Sequence, residues 1–254
     1  HGRTPHSRQL HGYGCAGGCA CCVRIAPSVY CRVGSAAHMI CAMGRFSEPV
    51  LRIGVVDLYR EHSDAARILI DIPIGLLPDT DRQIESAVRA LLGPRRSSVF
   101  PVPCFDAAYS KDYPAANQSN RRCLGKGLSK QAWFICDKIR EANDLLTSEP
   151  NARKVMGESH PELCFARFAA SPCEHPKKSA AGAKERVAIL KKRLPGAEEF
   201  LAVQLNRYKR SELLADDCVD ALVLTAAASN AVQLETEIQQ QGVDQIDIRM
   251  WLPA

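Results

Sequence analysis

Residues 67–76 read Arg-Ile-Leu-Ile-Asp-Ile-Pro-Ile-Gly-Leu, and this stretch decides the fold. The aliphatic run predicts a strand over residues 67–72, which Pro73 ends. A carboxylate in such a strand is costly to bury unless it is paired or binds a metal. If the strand is central, Asp71 lies at its carboxyl end, where the sites of α/β sheets are built. The alternative is that the Asp71 side chain caps the following turn.

The elements around this strand follow from hydrophobic periodicity and from turn and capping residues. Further strands are predicted at residues 9–15, 19–25, 29–33, 154–158 and 245–251, and helices at 48–59, 79–92, 128–146, 161–168, 183–193 and 212–231. Three early strands followed by alternating strands and helices predict an α/β fold with a mixed sheet flanked by helices. Residues 1–254 show no internal repeat or linker, so we expect a single domain with a loop-rich insertion at about 95–127.

The overall composition excludes several classes of protein. Hydrophobic residues make up 46% and charged residues 24% of the chain, which excludes a disordered or collagen-like protein. No stretch reaches the roughly 20 consecutive apolar residues of a membrane-spanning helix, and the start of the chain lacks the apolar core of a signal peptide. We therefore expect a soluble cytoplasmic protein without a membrane partner. The oligomeric state stays open, and a homodimer is one option.

The 12 cysteines are concentrated at the start of the chain. Half of them fall within the first 41 residues, namely Cys15, Cys19, Cys21, Cys22, Cys31 and Cys41. Because the chain is long enough to bury its own core and shows no export signal, we expect reduced thiols rather than disulfides. A zinc site is a second interpretation, but this run lacks the paired CxxC spacing and no second ligand pair follows. The third is that these cysteines are small apolar residues on strands.

Positive charge is concentrated in residues 177–210. This segment holds ten Lys and Arg residues against three Glu residues, whereas the whole chain has a net charge of +5. A basic face beside acidic chemistry suits a polyanionic ligand such as nucleic acid. The alternative is a solvated helix, since apolar residues with helical spacing are separated by lysines between residues 184 and 194.

Two further groups of acids lie in or next to predicted elements. Glu158 ends a predicted strand and Glu162 lies in the first turn of the next helix, so both could converge on one cavity. The helix dipole alone would also explain Glu162. Asp216, Asp217 and Asp220 lie in a predicted helix, with spacings of three and four residues that place pairs of them on one face. Such pairs repel each other, and a divalent cation would compensate for the repulsion.

Together these acids indicate a site for a hard cation. Their oxygen atoms, with little His or Cys beside them, favour Mg²⁺ or Mn²⁺ over Zn²⁺. Such ions, bridged by carboxylates about 4 Å apart, activate water and stabilise the leaving oxygen in phosphodiester hydrolysis. The residues expected to hold metal are Asp71, Glu158, Asp216, Asp217 and Asp220.

Several runs of residues resemble a known family. The runs are 70–76 (Ile-Asp-Ile-Pro-Ile-Gly-Leu), 95–103, 127–133, 158–165 and 216–222. In this order they resemble the domain-of-unknown-function family 429, whose members are regarded as predicted nucleases with a ribonuclease H-like fold. The likeness extends over about residues 12–250. It implies a ribonuclease H-like mixed sheet flanked by helices, with acids at strand ends and on the last helix.

The resemblance also implies roles for individual residues. Asp71 matches the acid of the family's Asp-Ile-Pro-Ile-Gly-Leu motif, and Glu158 matches the first acid of its Glu-x-His-Pro-Glu motif. The catalytic residues implied in this way are Asp71, Glu158, Asp217 and Asp220. The substrate-binding residues implied are Arg95, Arg96, Ser97, Ser98, Lys130 and His160. The loop of residues 95–98 could approach phosphate through charge-assisted hydrogen bonds, or it could be a structural loop that caps helices.

The start of the chain departs from the family's pattern. Members usually begin with a strand that carries Asp in a Gly-x-Asp-Gly-Cys-x-Gly-Gly-Trp pattern, but here Tyr13 stands at or beside that Asp and Cys19 replaces Trp. In ribonuclease H-like enzymes the first-strand Asp is the ligand shared by both metals. A phenol with a pKa near 10 is a poor substitute. Tyr13 is therefore expected to impair a two-metal mechanism.

Three functional hypotheses follow. The first is a nuclease dependent on Mg²⁺ or Mn²⁺, in which Asp71, Glu158 and the acids of the last helix hold metal and a bound water attacks phosphorus. The second is a catalytically inactive homologue that binds nucleic acid or another phosphorylated ligand without cutting it, which Tyr13 favours. The third is a structural or regulatory partner protein whose acids are only caps and solvated groups.

Overall fold

The computed structural model describes residues 54–237 and 239–254, together with the backbone of residues 27–29, 41–42 and 45–46. The strands are β1 (Pro27–Val29), β2 (Cys41–Ala42), β3 (Arg45–Phe46), β4 (Arg67–Ile70), β5 (Met156–Ser159), β6 (Ala231–Gln233), β7 (Gln240–Gln241), β8 (Asp247–Ile248) and β9 (Met250–Pro253). The α-helices are α1 (Val55–Glu61), α2 (Gln83–Leu92), α3 (Phe105–Ala108), α4 (Tyr113–Leu124), α5 (Lys130–Ser148), α6 (Ala152–Val155), α7 (Pro161–Ala169), α8 (Ala180–Arg193), α9 (Ala197–Arg207) and α10 (Ala215–Ala228). A 3-10 helix (Gly93–Ser98) follows α2.

A five-stranded mixed sheet forms the centre of the fold, with the strand order β1-β4-β5-β9-β6. The first four strands run parallel to one another, and β6 pairs antiparallel with β9 at one edge. The register places Ile70 of β4 opposite Glu158 of β5. Because parallel strands end at the same edge of a sheet, the residues that follow β4 and β5 reach the same region. The predicted α/β class with a mixed sheet and flanking helices is confirmed.

The side chains of β4 alternate between two helical layers. Leu69 is part of a core built with α7, α8, α9 and α10, whereas Ile68 and Ile70 belong to a second core with α1 and α5. Successive side chains of a strand point to opposite faces of the sheet. A strand that is covered on both faces therefore needs aliphatic residues at consecutive positions, as in a parallel sheet. This explains the unbroken apolar run from which the strand was predicted.

The turn after β4 depends on a glycine. Gly75 has a φ of +80°, and a Cβ at this position would lie 2.8 Å from Ile248 Cγ1 and 3.1 Å from Ile246 O. A left-handed conformation and a close approach of another chain segment both favour glycine. Gly75 thus lets the chain leave the sheet edge close to β8, directly after the turn that carries Asp71.

The segment 95–127 corrects one prediction. It was expected to be loop-rich, but it contains most of the 3-10 helix and all of α3 and α4. Asp112 caps the start of α4 by accepting a hydrogen bond from Ala115 N at 2.9 Å, and Gly125 ends the helix in a left-handed conformation. The turn-forming residues that suggested a loop therefore act as helix caps.

Other element boundaries differ more modestly. The strands predicted at 9–15 and 19–25 lie outside the described residues, and the one at 29–33 shares only Val29 with β1. Helix α9 and strand β6 were not predicted. The helix predicted at 212–231 is α10, which ends earlier because the chain turns into the edge strand β6.

Composition-based predictions can be compared with the described part of the chain. Six cysteines with described side chains have no disulfide partner among the described residues: Cys104, Cys123, Cys136, Cys164, Cys173 and Cys218. None of the described helices combines the length and the apolar character that crossing a bilayer requires.

Candidate functional site

Four of the predicted acids converge at the carboxyl edge of the sheet. Asp71 directly follows β4, and Asp216, Asp217 and Asp220 lie on the first two turns of α10. All four line one cavity of about 510 Å³, which we call the acidic cavity. Other residues around it include Arg95, Ser97, Ser98, Gln131, His160, Lys177 and Lys178. The structure therefore brings together most of the residues that the sequence singled out.

Burial among like charges raises the pKa of two of these acids. Burial is the largest cause of the raised pKa of Asp71, and the Asp220 carboxylate raises it further, while Lys177 opposes the effect. Burial also raises the pKa of Asp220, which is only 1% exposed, to about 6, again against an opposing effect of Lys177. Acids that interact in this way in a cleft are candidates for a functional site.

Only one of the two Asp220 carboxylate oxygens has a hydrogen-bond partner among the described residues. Lys177 Nζ donates a hydrogen bond to Asp220 Oδ2 at 2.8 Å. Asp220 Oδ1 is buried and has no hydrogen-bond partner among the described residues. Leaving a buried acceptor without a partner costs about 1–3 kcal/mol, and more when the group is charged. A cation or a donor from a ligand would remove this cost.

Basic and hydroxyl groups form another part of the wall of the acidic cavity. Ser98 Oγ donates to Arg95 O at 2.9 Å, and Arg95 Nη2 donates to Glu174 O at 2.9 Å. Arg95 Nε is buried without a partner in the described part of the chain. Ser97 and Lys178 line the cavity beside it. A guanidinium with an unused donor and an ammonium group are suited to phosphate oxygens.

His160 connects this wall to the start of α7. Leu163 N donates to His160 Nδ1 at 3.4 Å, and His160 Nε2 lies 3.4 Å from Ser98 O. Since Nδ1 accepts, Nε2 carries the hydrogen and donates to the carbonyl. Burial lowers the pKa of His160 to about 4, so the imidazole is neutral at pH 7. His160, which was predicted to bind substrate, lines the acidic cavity and also contacts the loop of residues 95–98 through Ser98 O.

Glu158 is engaged by a buried arginine. Glu158 Oε2 accepts hydrogen bonds from Ile74 N at 2.8 Å and from Arg82 Nη2 at 2.7 Å. Arg82 also lies 3.0 Å from Glu85 Oε1 and donates to Ile74 O at 3.2 Å. Burial outweighs the effect of Arg82 and raises the pKa of Glu158 to about 7. The Glu158 side chain thus fixes the turn after Asp71 and does not line the acidic cavity.

A second buried ion pair holds the segment that carries Lys177. Arg186 donates from Nε to Glu162 Oε1 at 2.8 Å and from Nη2 to Glu162 Oε2 at 2.7 Å. Arg186 Nη1 also donates to His175 O at 3.1 Å, two residues before Lys177. The bidentate geometry fixes both partners. Glu162, which sequence reasoning placed near a shared cavity, does line the acidic cavity, and both of its oxygens accept hydrogen bonds from Arg186.

Besides Glu158, two predicted site residues lie away from the acidic cavity, and Tyr13, which stands where the family has an acid, lies outside the described part. Arg96 and Lys130 are exposed and do not line the acidic cavity, whereas Gln131 does. Sequence reasoning missed Gln131, and it missed Lys177 as an individual residue. The only sequence signal for Lys177 was its position in the Lys-Lys pair that begins the basic segment 177–210.

The basic segment 177–210 is partly neutralised within the protein. Lys177 pairs with Asp220, and the Lys191 ammonium lies 2.5 Å from Glu198 on the surface. Arg193 Nη2 donates to Phe168 O at 3.0 Å. Neither interpretation made from the sequence describes the whole segment, since part of its charge stabilises the fold and part faces the acidic cavity.

The aspartates fit a hard cation by their donor chemistry. Asp71, Asp217 and Asp220 place carboxylates around one cavity, and Asp220 Oδ1 is an acceptor without a partner among the described residues. In the same part of the chain, no three His, Cys, Asp or Glu side chains are already arranged around one ion position. Lys177 supplies positive charge beside Asp220. Glu158 does not fit the donor set because its Oε2 atom already accepts hydrogen bonds from Arg82 Nη2 and Ile74 N.

Comparison with known proteins gives one match. No curated protein and no solved structure matches the chain. The family model described as "Protein of unknown function (DUF429)" matches residues 28–239, which is most of the chain. The matched range includes every residue that lines the acidic cavity. The resemblance noted in the sequence is confirmed, and the chain belongs to the DUF429 family.

Proposed function

We propose that this protein is a divalent-metal-dependent nuclease whose mixed sheet is of the ribonuclease H-like type. The observation that carries the proposal is a single cavity lined both by four aspartates and by Arg95 and Lys178. Aspartates alone would suit a cation, and basic residues alone would suit a phosphate. Metal-assisted hydrolysis of a phosphodiester uses both together, because charge on the transferring phosphoryl group must be stabilised while water is activated.

In this proposal Asp71, Asp217 and Asp220 hold Mg²⁺ or Mn²⁺. When bound, the ion supplies an activated water and stabilises the leaving oxygen. Asp220 Oδ1 is buried without a partner among the described residues, which a bound cation would supply, and the hydrogen bond from Lys177 Nζ fixes the orientation of the carboxylate. The raised pKa values of Asp71 and Asp220 mean that their ionised forms gain most from a nearby positive charge. Asp216 also lines the cavity and adds negative charge to it.

The remaining residues are proposed to bind phosphate or to position the others. Arg95 Nε, Lys178 and the Ser97 hydroxyl face phosphate oxygens from the basic part of the wall. Neutral His160 holds the loop that carries Arg95. Glu158, through Arg82, holds the turn that carries Asp71 and acts as a positioning residue.

A protein that binds nucleic acid or another phosphorylated ligand without cutting it is the second candidate. The Lys177–Asp220 ion pair favours it, because this pair already places a positive charge among the aspartates. A cavity that contains its own cation can bind phosphate through Arg95 and Lys178 without a metal. This candidate predicts that oligonucleotides bind but are not cleaved in the presence of Mn²⁺.

A cleavage assay with Mn²⁺ separates the two candidates. Labelled single-stranded and duplex oligonucleotides are incubated with the wild type and with the variants Asp71→Asn, Asp217→Asn and Asp220→Asn. Asp57→Asn is the matched control, since Asp57 is an exposed aspartate on α1. We expect each cavity variant to lower the cleavage rate at least about 100-fold, and the control to leave it unchanged.

Three results would decide against the nuclease. The first is cleavage that persists in all three cavity variants. The second is no heat of Mn²⁺ binding to the wild type in calorimetry. The third is a wild type that binds oligonucleotides but cleaves only after Tyr13→Asp, which would identify an inactive homologue.

A further inference from the structure

A second cavity shares a wall with the acidic cavity. It has a volume of about 890 Å³ and lies between α8, α9 and the start of α10. Six residues line both cavities: Lys177, Lys178, Arg186, Leu214, Asp216 and Asp220. Its size falls in the range of about 300–1,000 Å³ that is typical of small-molecule sites. A ligand can therefore extend from one cavity into the other.

The rest of this second cavity is apolar and aromatic. Val187 of α8, Leu201 and Leu205 of α9, and Tyr208 line it, and Arg210 lies at the same wall. Tyr208 is half-buried, and Leu205 is 37% exposed, which is unusual for a large aliphatic residue in a concave site. An aromatic ring and aliphatic side chains beside lysine and arginine suit a flat heterocycle that is attached to an anion.

We propose that this apolar cavity binds an unstacked nucleobase of a single-stranded nucleic acid, next to the phosphate held in the acidic cavity. The inference rests on the phosphate binding proposed above and adds the class of substrate. Lys178 lies in the wall shared by both cavities, where it can contact the phosphate that links the sugar of this nucleotide to the sugar of the next. In a duplex the bases are stacked and paired, so a base could fill the apolar cavity only after it had been extruded.

The test measures binding in EDTA, so that it does not depend on metal or on cleavage. Fluorescence anisotropy gives the affinities of a labelled single strand, the same strand with abasic sites, and the duplex. Both DNA and RNA versions are used, which distinguishes the two sources of the base. We expect the intact single strand to bind about tenfold more tightly than the abasic strand and than the duplex, which is the size of one stacking contact.

Variants locate the effect in the apolar cavity. Tyr208→Leu should weaken binding of the intact strand about tenfold and leave the abasic strand unchanged, whereas Tyr208→Phe keeps the ring and should keep the affinity. Leu205→Ala should also weaken binding, while Val203→Ala, an exposed residue of the same helix that does not line the cavity, should not.

Equal affinity for intact and abasic strands would overturn the inference, as would duplex binding as tight as single-strand binding. The inference would also be overturned if Tyr208→Leu weakened the binding of the intact strand and of the abasic strand alike. In these cases Mn²⁺-dependent cleavage would still leave the proposed function standing. If neither strand bound, the proposed phosphate site and the base site would fail together.

Discussion

Replacing Asp220 with Asn should stabilise the protein at neutral pH. The carboxylate is 1% exposed, Oδ2 accepts one hydrogen bond from Lys177, and Oδ1 has no partner among the described residues. Burial raises the pKa of Asp220 from its ordinary value of 3.8 to about 6. Because the pKa is higher in the folded state than in the unfolded chain, the ionised carboxylate opposes folding. This penalty grows as the pH rises through the interval between the two values.

The size of the effect follows from the two pKa values. The penalty is below about 1 kcal/mol at pH 4 and about 3 kcal/mol at pH 7.5. Asn removes the charge, but part of its buried amide lacks a partner, which costs about 1 kcal/mol. We therefore expect Asp220→Asn to raise the free energy of unfolding by about 2 kcal/mol at pH 7.5 and to leave it within about 1 kcal/mol of wild type at pH 4.

Urea denaturation in EDTA at pH 4, 5.5 and 7.5 measures the difference. Wild type and Asp220→Asn are compared with Asp57→Asn, which changes an exposed aspartate and should stay within about 0.5 kcal/mol of wild type. The low pKa of His160 also makes stability depend on pH, but it does so equally in both proteins and cancels. The reasoning is refuted if Asp220→Asn is destabilised at pH 7.5, or if its difference from wild type does not change with pH.

Three further predictions concern the frame of the site. Arg82→Met removes the arginine that pairs with buried Glu158 and Glu85, so urea denaturation should show that the free energy of unfolding falls by about 3–5 kcal/mol. The exposed variant Arg60→Met should show no comparable fall, and a fall below about 1 kcal/mol for Arg82→Met would contradict the prediction. Mn²⁺ affinity measured by calorimetry should be lower at pH 5 than at pH 7.5, since Asp220 is protonated below about pH 6, and equal affinities would argue against Asp220 as a ligand. Gly182→Ala should cost about 1–3 kcal/mol in thermal unfolding because its Cβ would overlap Pro176 O, and an unchanged melting temperature would show that this contact is loose.

The parts of the fold that could be predicted from sequence are those with local signals. The helix predicted at 161–168 is observed as Pro161–Ala169, because proline at the first position and the His160 cap act within one turn. Strand β4 was predicted from consecutive aliphatic residues, a signal that lies entirely within the strand's own sequence. Strand β6 carries no such signal, since its residues are largely exposed and it exists by pairing with β9.

The candidate site could be predicted only in part for a related reason. Asp71 and the aspartates of α10 were found because a charge in an apolar run is costly wherever it lies. Tertiary packing decides which basic residue each acid pairs with. Glu158 pairs with Arg82, 76 residues earlier, and Asp220 pairs with Lys177, 43 residues earlier. Sequence spacing carries no information about such distant pairs, and this explains why Glu158 was assigned to the metal ligands.

The ion pairs themselves separate two kinds of acid in this protein. Glu158 and Glu162 each accept a hydrogen bond from a buried arginine at 2.7 Å, and Glu158 also accepts one from Ile74 N, so both side chains are held in place by the fold. Buried pairs of this kind add little net stability compared with apolar residues, but they fix geometry. Asp220, by contrast, keeps one oxygen without a partner among the described residues. Glutamates that hold a turn or a segment, beside an aspartate that keeps one oxygen without a partner among the described residues, are the arrangement expected when the frame is built to present Asp71 and Asp220 to a ligand.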